Sequence, residues 1–341
     1  MRLRNLILAS ALILQTVAAQ EYRALPEIPI GGEGGWDTLS VAAHRLYLSH
    51  ATKVVVVDLE KNAVAGEITD TPGVHAFIAV PGLNRGFSSN GKEAKASVVD
   101  LKTLATTAKI DTGEGPDAMA YDAARVELYV FNHRGGSATV IDARSEKVVS
   151  TITLGGSPEF GVADAAAGRV YVNLEDKSEV AVIDTAKHEV IAHWPLAPGA
   201  EPTGIALDAR THRLFCACNN KLVVMLDAES GKVMSTAPVG EHVDGCAFDA
   251  ASRLVFVSFG EGVANIVKEE TPEKLTPAQT LTTERGARTI ALDPATHRIY
   301  LPTAKFQPAP SPAPDEKPAR PATVPNTLKL LVYGPAEKCR S

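Results

Sequence analysis

Aromatic residues are scarce in this chain of 341 residues, at 5% of the total with only two tryptophans. Basic residues are outnumbered, 34 Lys and Arg against 40 Asp and Glu, for a net charge of −6. Non-specific binding to phosphate backbones depends on Lys and Arg displacing counterions, and single strands also need aromatic platforms to stack on. Both shortages count against a nucleic-acid partner. Cysteine is rare too: Cys216, Cys218, Cys246 and Cys339. Their spacing is not that of a disulfide framework, and with no C-x-x-C-H the chain carries no covalent c-type haem signature. Neither H-E-x-x-H, nor a Ser-His-Asp order, nor a phosphate-binding glycine loop is present.

The one strongly apolar run at the start, Leu6 to Leu14, is too short to span a bilayer stably. Arg2 and Arg4 precede it and Val17-Ala18-Ala19 follows it, so residues 1–19 read as a secretory signal peptide cleaved before Gln20. This predicts a periplasmic or secreted protein with no transmembrane segment left after processing. Losing Arg2 and Arg4 leaves 32 basic residues against 40 acidic, a net charge of −8.

What is abundant is repetition. Runs of the type Arg-Leu-Tyr-Val lead through a polar turn into Val-Val-Asp or Val-Ile-Asp, most clearly over residues 127–142. The closing aspartates Asp58, Asp100, Asp142, Asp184 and Asp227 are separated by 42, 42, 42 and 43 residues. A fixed period of that size marks a repeat architecture. Each unit contains four short stretches with strand periodicity. Taking Arg45, Arg85, Glu127, Arg169, Arg213, Arg253 and Arg298 as starts of the second strand counts seven units. The recurrent Asp suits a turn, where its carboxylate accepts backbone N–H groups two residues on. Units six and seven drift. The sixth has Ile266-Val267-Lys268 in place of the Asp and then a charged loop through Lys274. The seventh is interrupted by residues 307–325, with seven prolines in 19 residues, which predicts an exposed, extended loop.

Seven antiparallel four-stranded units predict an all-β, seven-bladed β-propeller over residues 20–334, followed by a tail over 335–341. The last blade lacks a fourth strand. Ala24 to Ile30, followed by Gly31-Gly32, reads as that strand and would close the ring beside Leu328–Tyr333. Cys216 and Cys246 fall in columns otherwise filled by apolar residues, so they read as small buried thiols.

The runs Tyr129-Val130-Phe131-Asn132 and Tyr171-Val172-Asn173, with the Val-Ile-Asp that follows each, resemble the YVTN-type β-propeller repeats of exported bacterial proteins, the YncE-like group. The resemblance covers about residues 24–334 and weakens in units six and seven. It implies a binding or interaction module, acting as a monomer on a protein or small-molecule partner. The fold is shared with lactone hydrolases and with the d-type haem domain of nitrite reductases, which adds a metal-dependent hydrolase and a redox accessory or haem carrier as alternatives. Single-stranded DNA binding is associated with the YncE-like group, but acidity and two Trp count against it here.

In a propeller, the links between blades and the hairpins between second and third strands share the face around the channel. The residue five before the end of each first strand gives one position per blade: Trp36, His75, Asp117, Glu159, Thr203, Asp244 and Arg288. This column is polar and differs in every blade, which a structural repeat does not require. The adjacent hairpins add His50, Asn90, His133, Glu175 and Asn219. His75, Asp117, Glu159 and Asp244 have the donor types for a divalent cation, which could polarise a carbonyl or activate water. Arg288 in the same column suits an anionic group or a salt bridge to Asp244. His44, His212 and His297 each precede Arg at the opposite face and read as turn residues.

Overall fold

The computed structural model describes residues 20–308 and 321–336. The leader, the centre of the proline-rich insertion and the residues after 336, Cys339 included, lie outside the described residues. Seven separate four-stranded antiparallel sheets make up the described residues, each in simple up-and-down order A-B-C-D except the last. In the third blade the strands are Pro116–Asp122, Glu127–Asn132, Ser137–Asp142 and Lys147–Thr153. Strands B and C are buried on both faces, between neighbouring blades, and so carry apolar runs without alternation, Leu128-Tyr129-Val130-Phe131 and Val140-Ile141. Strand D lies outermost and is mostly exposed, Val148 and Val149 included, with Ile152 buried. The innermost A strands contact one another in sequence, and Ala291–Asp293 of the last blade meets Trp36–Ala42 of the first. This is a closed seven-bladed β-propeller.

Closure falls to the amino-terminal strand. Tyr22–Pro29 pairs antiparallel with Lys329–Pro335, from Tyr22 opposite Pro335 to Pro29 opposite Lys329. Ile28 is fully buried in that pairing, worth roughly 1.5–3 kcal/mol of hydrophobic stabilisation. The Tyr22 hydroxyl donates to the His297 carbonyl at 2.8 Å, and Gln279 bonds both backbone groups of Tyr22. Tyr22 and the strand it opens are thereby tied to blades six and seven.

The repeated aspartates work as turn residues. Asp58, Asp100, Asp184 and Asp227 each accept backbone N–H groups two and three residues on, as Asp58 does from Glu60 at 3.0 Å and Lys61 at 2.9 Å. His44, His212 and His297 occupy left-handed backbone positions at the A–B turns, with φ of 61°, 55° and 58°. This conformation is uncommon outside glycine, but histidine enters it more readily than most residues.

The sixth unit departs from expectation. Instead of a charged loop, Glu261–Thr271 and Lys274–Arg285 form a long hairpin. Without an Asp at position 268 to start the usual turn, pairing runs on to Thr271 opposite Lys274. The hairpin packs back on blade five, where Arg213 donates to the Pro272 carbonyl at 2.6 Å. The base of the proline-rich insertion is also paired: Gln307 N donates to Ala322 O at 2.8 Å and Val324 N to Lys305 O at 2.7 Å. Cys216 and Cys218 are buried, and with Cys246 they are free thiols; burial pushes Cys218 up to about 12.

Candidate functional site at the channel mouth

The backbone itself aims side chains at the channel. In each of blades one to six, strand A carries one residue more than strand B opposite its second position. In the first blade Trp36 faces His50 and Leu39 faces Leu48; in the fourth, Pro158 faces Leu174 and Gly161 faces Val172. A β-bulge of this kind breaks the two-residue alternation and re-aims the extra side chain. The residues at the bulge are Asp37, His75, Asp117, Glu159, Thr203 and Asp244, and Arg288 takes the corresponding place in blade seven. The predicted column therefore holds at six positions and slips by one in blade one, where Asp37 takes the place assigned to Trp36. The slip has a clear cause. Strand A ends on Asp122, Asp164, Asp208, Asp249 and Asp293 in five blades, but on Ala42 in the first, which leaves no marker to count from.

The hairpin residues slip in the same way. His50 and Asn90 are fully buried at the ends of their B strands, not on the mouth. Asn90 is used inside its blade, donating to Ser97 Oγ and Glu93 Oε1, both at 2.8 Å. Burial pushes the His50 imidazole below its ordinary range. The residues that reach the mouth come one later: His133, Glu175 and Asn219. Their N–H groups donate to the links between blades, His133 N to Gly115 O at 2.8 Å and Glu175 N to Ser157 O at 3.0 Å. These bonds place links and hairpins on one face.

The cation-type residues divide into separate groups rather than one quartet. His75 Nδ1 lies 2.7 Å from Asp37 Oδ2 and 3.6 Å from Asp117 Oδ1, and possible ligand atoms of these three residues all lie within 4.8 Å of one another. A second trio with the same spacing joins His133, Glu159 and Glu175, with His133 Nδ1 at 3.1 Å from Glu159 Oε1. Asp244 instead pairs with Arg288, at 3.2 Å from Nε. The hydrogen bond to Asp37 raises the proton affinity of His75 against the effect of burial. Burial pushes Asp117 up to about 6, opposed by the charge of His75. Bonding to Glu159 raises His133 to about 9. Glu175 is raised by burial and by the nearby charge of Glu159.

Beside these trios the mouth opens into a cavity of about 880 Å³, within the range of small-molecule sites. Trp36 and Phe306 form an aromatic wall, with ring centroids 6.0 Å apart, and Arg285 lies over Phe306 at 5.8 Å. Glu159, Glu175, Thr203, Asn219, Asp244 and Arg288 contribute polar groups, and Pro321 to Thr323 from the insertion close one side. His75, Asp117 and His133 do not line this cavity.

Sequence reasoning missed the residues that fix the ring backbone. Thr289 donates to Asp37 O at 2.8 Å, Thr38 to His75 O at 2.8 Å and Asn173 to Thr203 O at 3.1 Å; Ser89 donates to Asp117 O and Ser258 to Arg288 O. Each bond crosses from one blade to the next. The available signal was a polar residue, Asn173 or Ser258, one place before the end of an otherwise largely apolar B strand; the Ser89 strand is polar over several positions and carried no such mark.

Fold and mouth together define a seven-bladed propeller with a cavity on its hairpin face. Among solved structures the chain resembles Kuenenia stuttgartiensis hydrazine synthase, at 16% identity and a TM-score of 0.70, over 79% of this chain and 92% of that one. It also resembles a chain of a mitotic checkpoint complex, at 12% identity and a TM-score of 0.72, over 99% of this chain and 98% of that one. At such identities the likeness shows the propeller fold alone. No family model matches the chain, and no curated protein matches it.

Proposed function

We propose that this is an exported binding module of the YVTN-repeat, YncE-like type, which engages a small molecule or partner segment at the mouth cavity and works as a monomer. The cavity carries the reading. It combines an apolar wall of Trp36 and Phe306 with charged groups from several blades, the mixture that orients and holds a ligand. The Trp36 Nε1 donor is buried and makes no hydrogen bond among the described residues. Export rests on the leader read in residues 1–19.

Trp194→Phe leaves Trp36 as the sole indole, so its emission reports occupancy of the cavity directly. A fragment collection screened by saturation-transfer NMR is expected to give binders that shift this emission and lose affinity in Phe306→Ala. Binders that leave Trp36 unchanged and tolerate Phe306→Ala would place recognition elsewhere and defeat the proposal.

A second reading, a metal-dependent hydrolase of the lactonase type, draws on the two His–carboxylate trios. It requires turnover of a lactone panel that chelator abolishes. Fragment binding without turnover would favour the binding module.

A further inference from the structure

We propose that His133, Glu159 and Glu175 bind one divalent transition-series cation, of the zinc or manganese class, at the wall of the cavity. The residues come from three short segments set by the fold. His133 follows strand Glu127–Asn132, Glu159 sits at the bulge of strand Pro158–Asp164, and Glu175 opens the turn Glu175–Lys177. Their possible ligand atoms lie within 4.8 Å of one another. An ion about 2.0–2.2 Å from each nitrogen or oxygen donor holds its ligands roughly 3.3–4.4 Å apart, so the three side chains need to draw in only slightly to take it. One imidazole with two carboxylates suits zinc or manganese better than calcium, which takes six to eight oxygens.

The charge balance points the same way. Two carboxylates face a single imidazole, and among the described residues no hydrogen bond or ion pair neutralises Glu175 directly. Its neighbour Glu159 repels it. A cation would remove that repulsion and displace the imidazolium proton of His133, whose Nδ1 lies 3.1 Å from both Glu159 Oε1 and the Pro158 carbonyl. Glu159 and Glu175 also line the cavity, so positions left open on the ion would face whatever enters there. The inference does not depend on what the cavity binds.

The other trio provides a built-in contrast. His75 is already held at 2.7 Å by Asp37, whose second oxygen lies 3.9 Å from Arg288, so positive charge is supplied from within the protein. None of Asp37, His75 and Asp117 lines the cavity.

Chelator-treated protein titrated with zinc, and separately with manganese, in a calorimeter tests the assignment. One equivalent of at least one of these ions is expected to bind with proton release, and His133→Gln and Glu175→Gln should each weaken binding by at least about tenfold. His75→Gln should leave stoichiometry and affinity unchanged. Melting curves recorded without metal identify any variant that fails to fold, and the conservative Glu175→Gln is chosen to retain the fold. No binding of either ion by the parent protein, or loss in His75→Gln but not in Glu175→Gln, would overturn the assignment. Fragment binding in chelator is measured separately, so failure here and failure of the binding-module reading remain distinguishable.

Discussion

At blade two the ring residue is His75, gripped by Asp37 on one side and Asp117 on the other. At blade five it is Thr203, which faces an open cavity. The backbone is the same at both places, a strand A bulge beside a B–C hairpin, so the difference lies in which side chains the bulge delivers. In the early blades the hairpins contribute small residues, Ala51 and Gly91, and the ring side chains fill the remaining space. A Cβ on Gly91 would lie 2.6 Å from His75 Nε2. On the other side, Gly260 and Gly286 keep the floor low, while Trp36 and Phe306 stand up as walls. One half of the mouth is closed by His–carboxylate pairs; the other, which also holds the Asp244–Arg288 pair, is left open by glycine and framed by aromatics.

The largest expected effect lies in the open half. Gly286 has φ of +91°, and a Cβ there would meet Phe306 Cζ at 2.6 Å. Gly286→Val should cost about 2–4 kcal/mol in urea denaturation and abolish fragment binding, because strain and clash act together. Gly91→Ala should cost less, about 1–2 kcal/mol, because no left-handed φ adds to the clash with the His75 ring. Equal costs would contradict the account of the open side. Next comes His75→Ala, which leaves Asp37 and Asp117 facing each other. It should destabilise by about 1 kcal/mol at pH 8, given the partial exposure of the pair, and raise Asp117 above about 6 in a carboxyl NMR titration.

A pH series sharpens the boundary between the halves, where His133 stands. Its folded value of about 9 lies above the ordinary 6.5. The stabilisation it gives is therefore complete below about pH 6.5 and disappears as pH rises through about 9. Glu159→Gln should bring the imidazole NMR titration back towards 6.5 and flatten that part of the stability curve. An unchanged His133 midpoint would show that Glu159 is not the cause. The smallest effects concern the backbone ties. Thr38→Ala should cost about 1 kcal/mol by thermal melting, for one hydrogen bond, and Ser89→Ala somewhat more, because its hydroxyl also accepts from the Ala76 N–H. Thr203→Ala on the open side, where the buried side chain's hydroxyl makes no hydrogen bond among the described residues, should cost less than either.

Much of the fold was legible in advance. The 42-residue spacing of the aspartates, the seven B strands and the unpaired Ala24–Ile30 segment point to a ring closed by its amino-terminal strand, and Tyr22–Pro29 does close it. The long hairpin of blade six was not legible, because the missing Asp removes a turn signal without saying where pairing resumes. The mouth was legible to within one residue. Trp36 in place of Asp37, and His50 and Asn90 ahead of the exposed hairpin residues, are single-step slips. A single step matters in a strand, since it carries a side chain from one face to the other.

The amino-acid sequence determined the number of blades, their strand order and the manner of closure, because apolar periodicity and turn chemistry act locally and repeat with the chain. Tertiary structure alone decided which polar residues meet. His75 joins Asp37, Glu159 joins His133 and Glu175, and Asp244 goes to Arg288. Those partnerships depend on a one-residue bulge in the A strands of blades one to six and on how adjacent blades pack, and neither leaves a periodic mark in the chain.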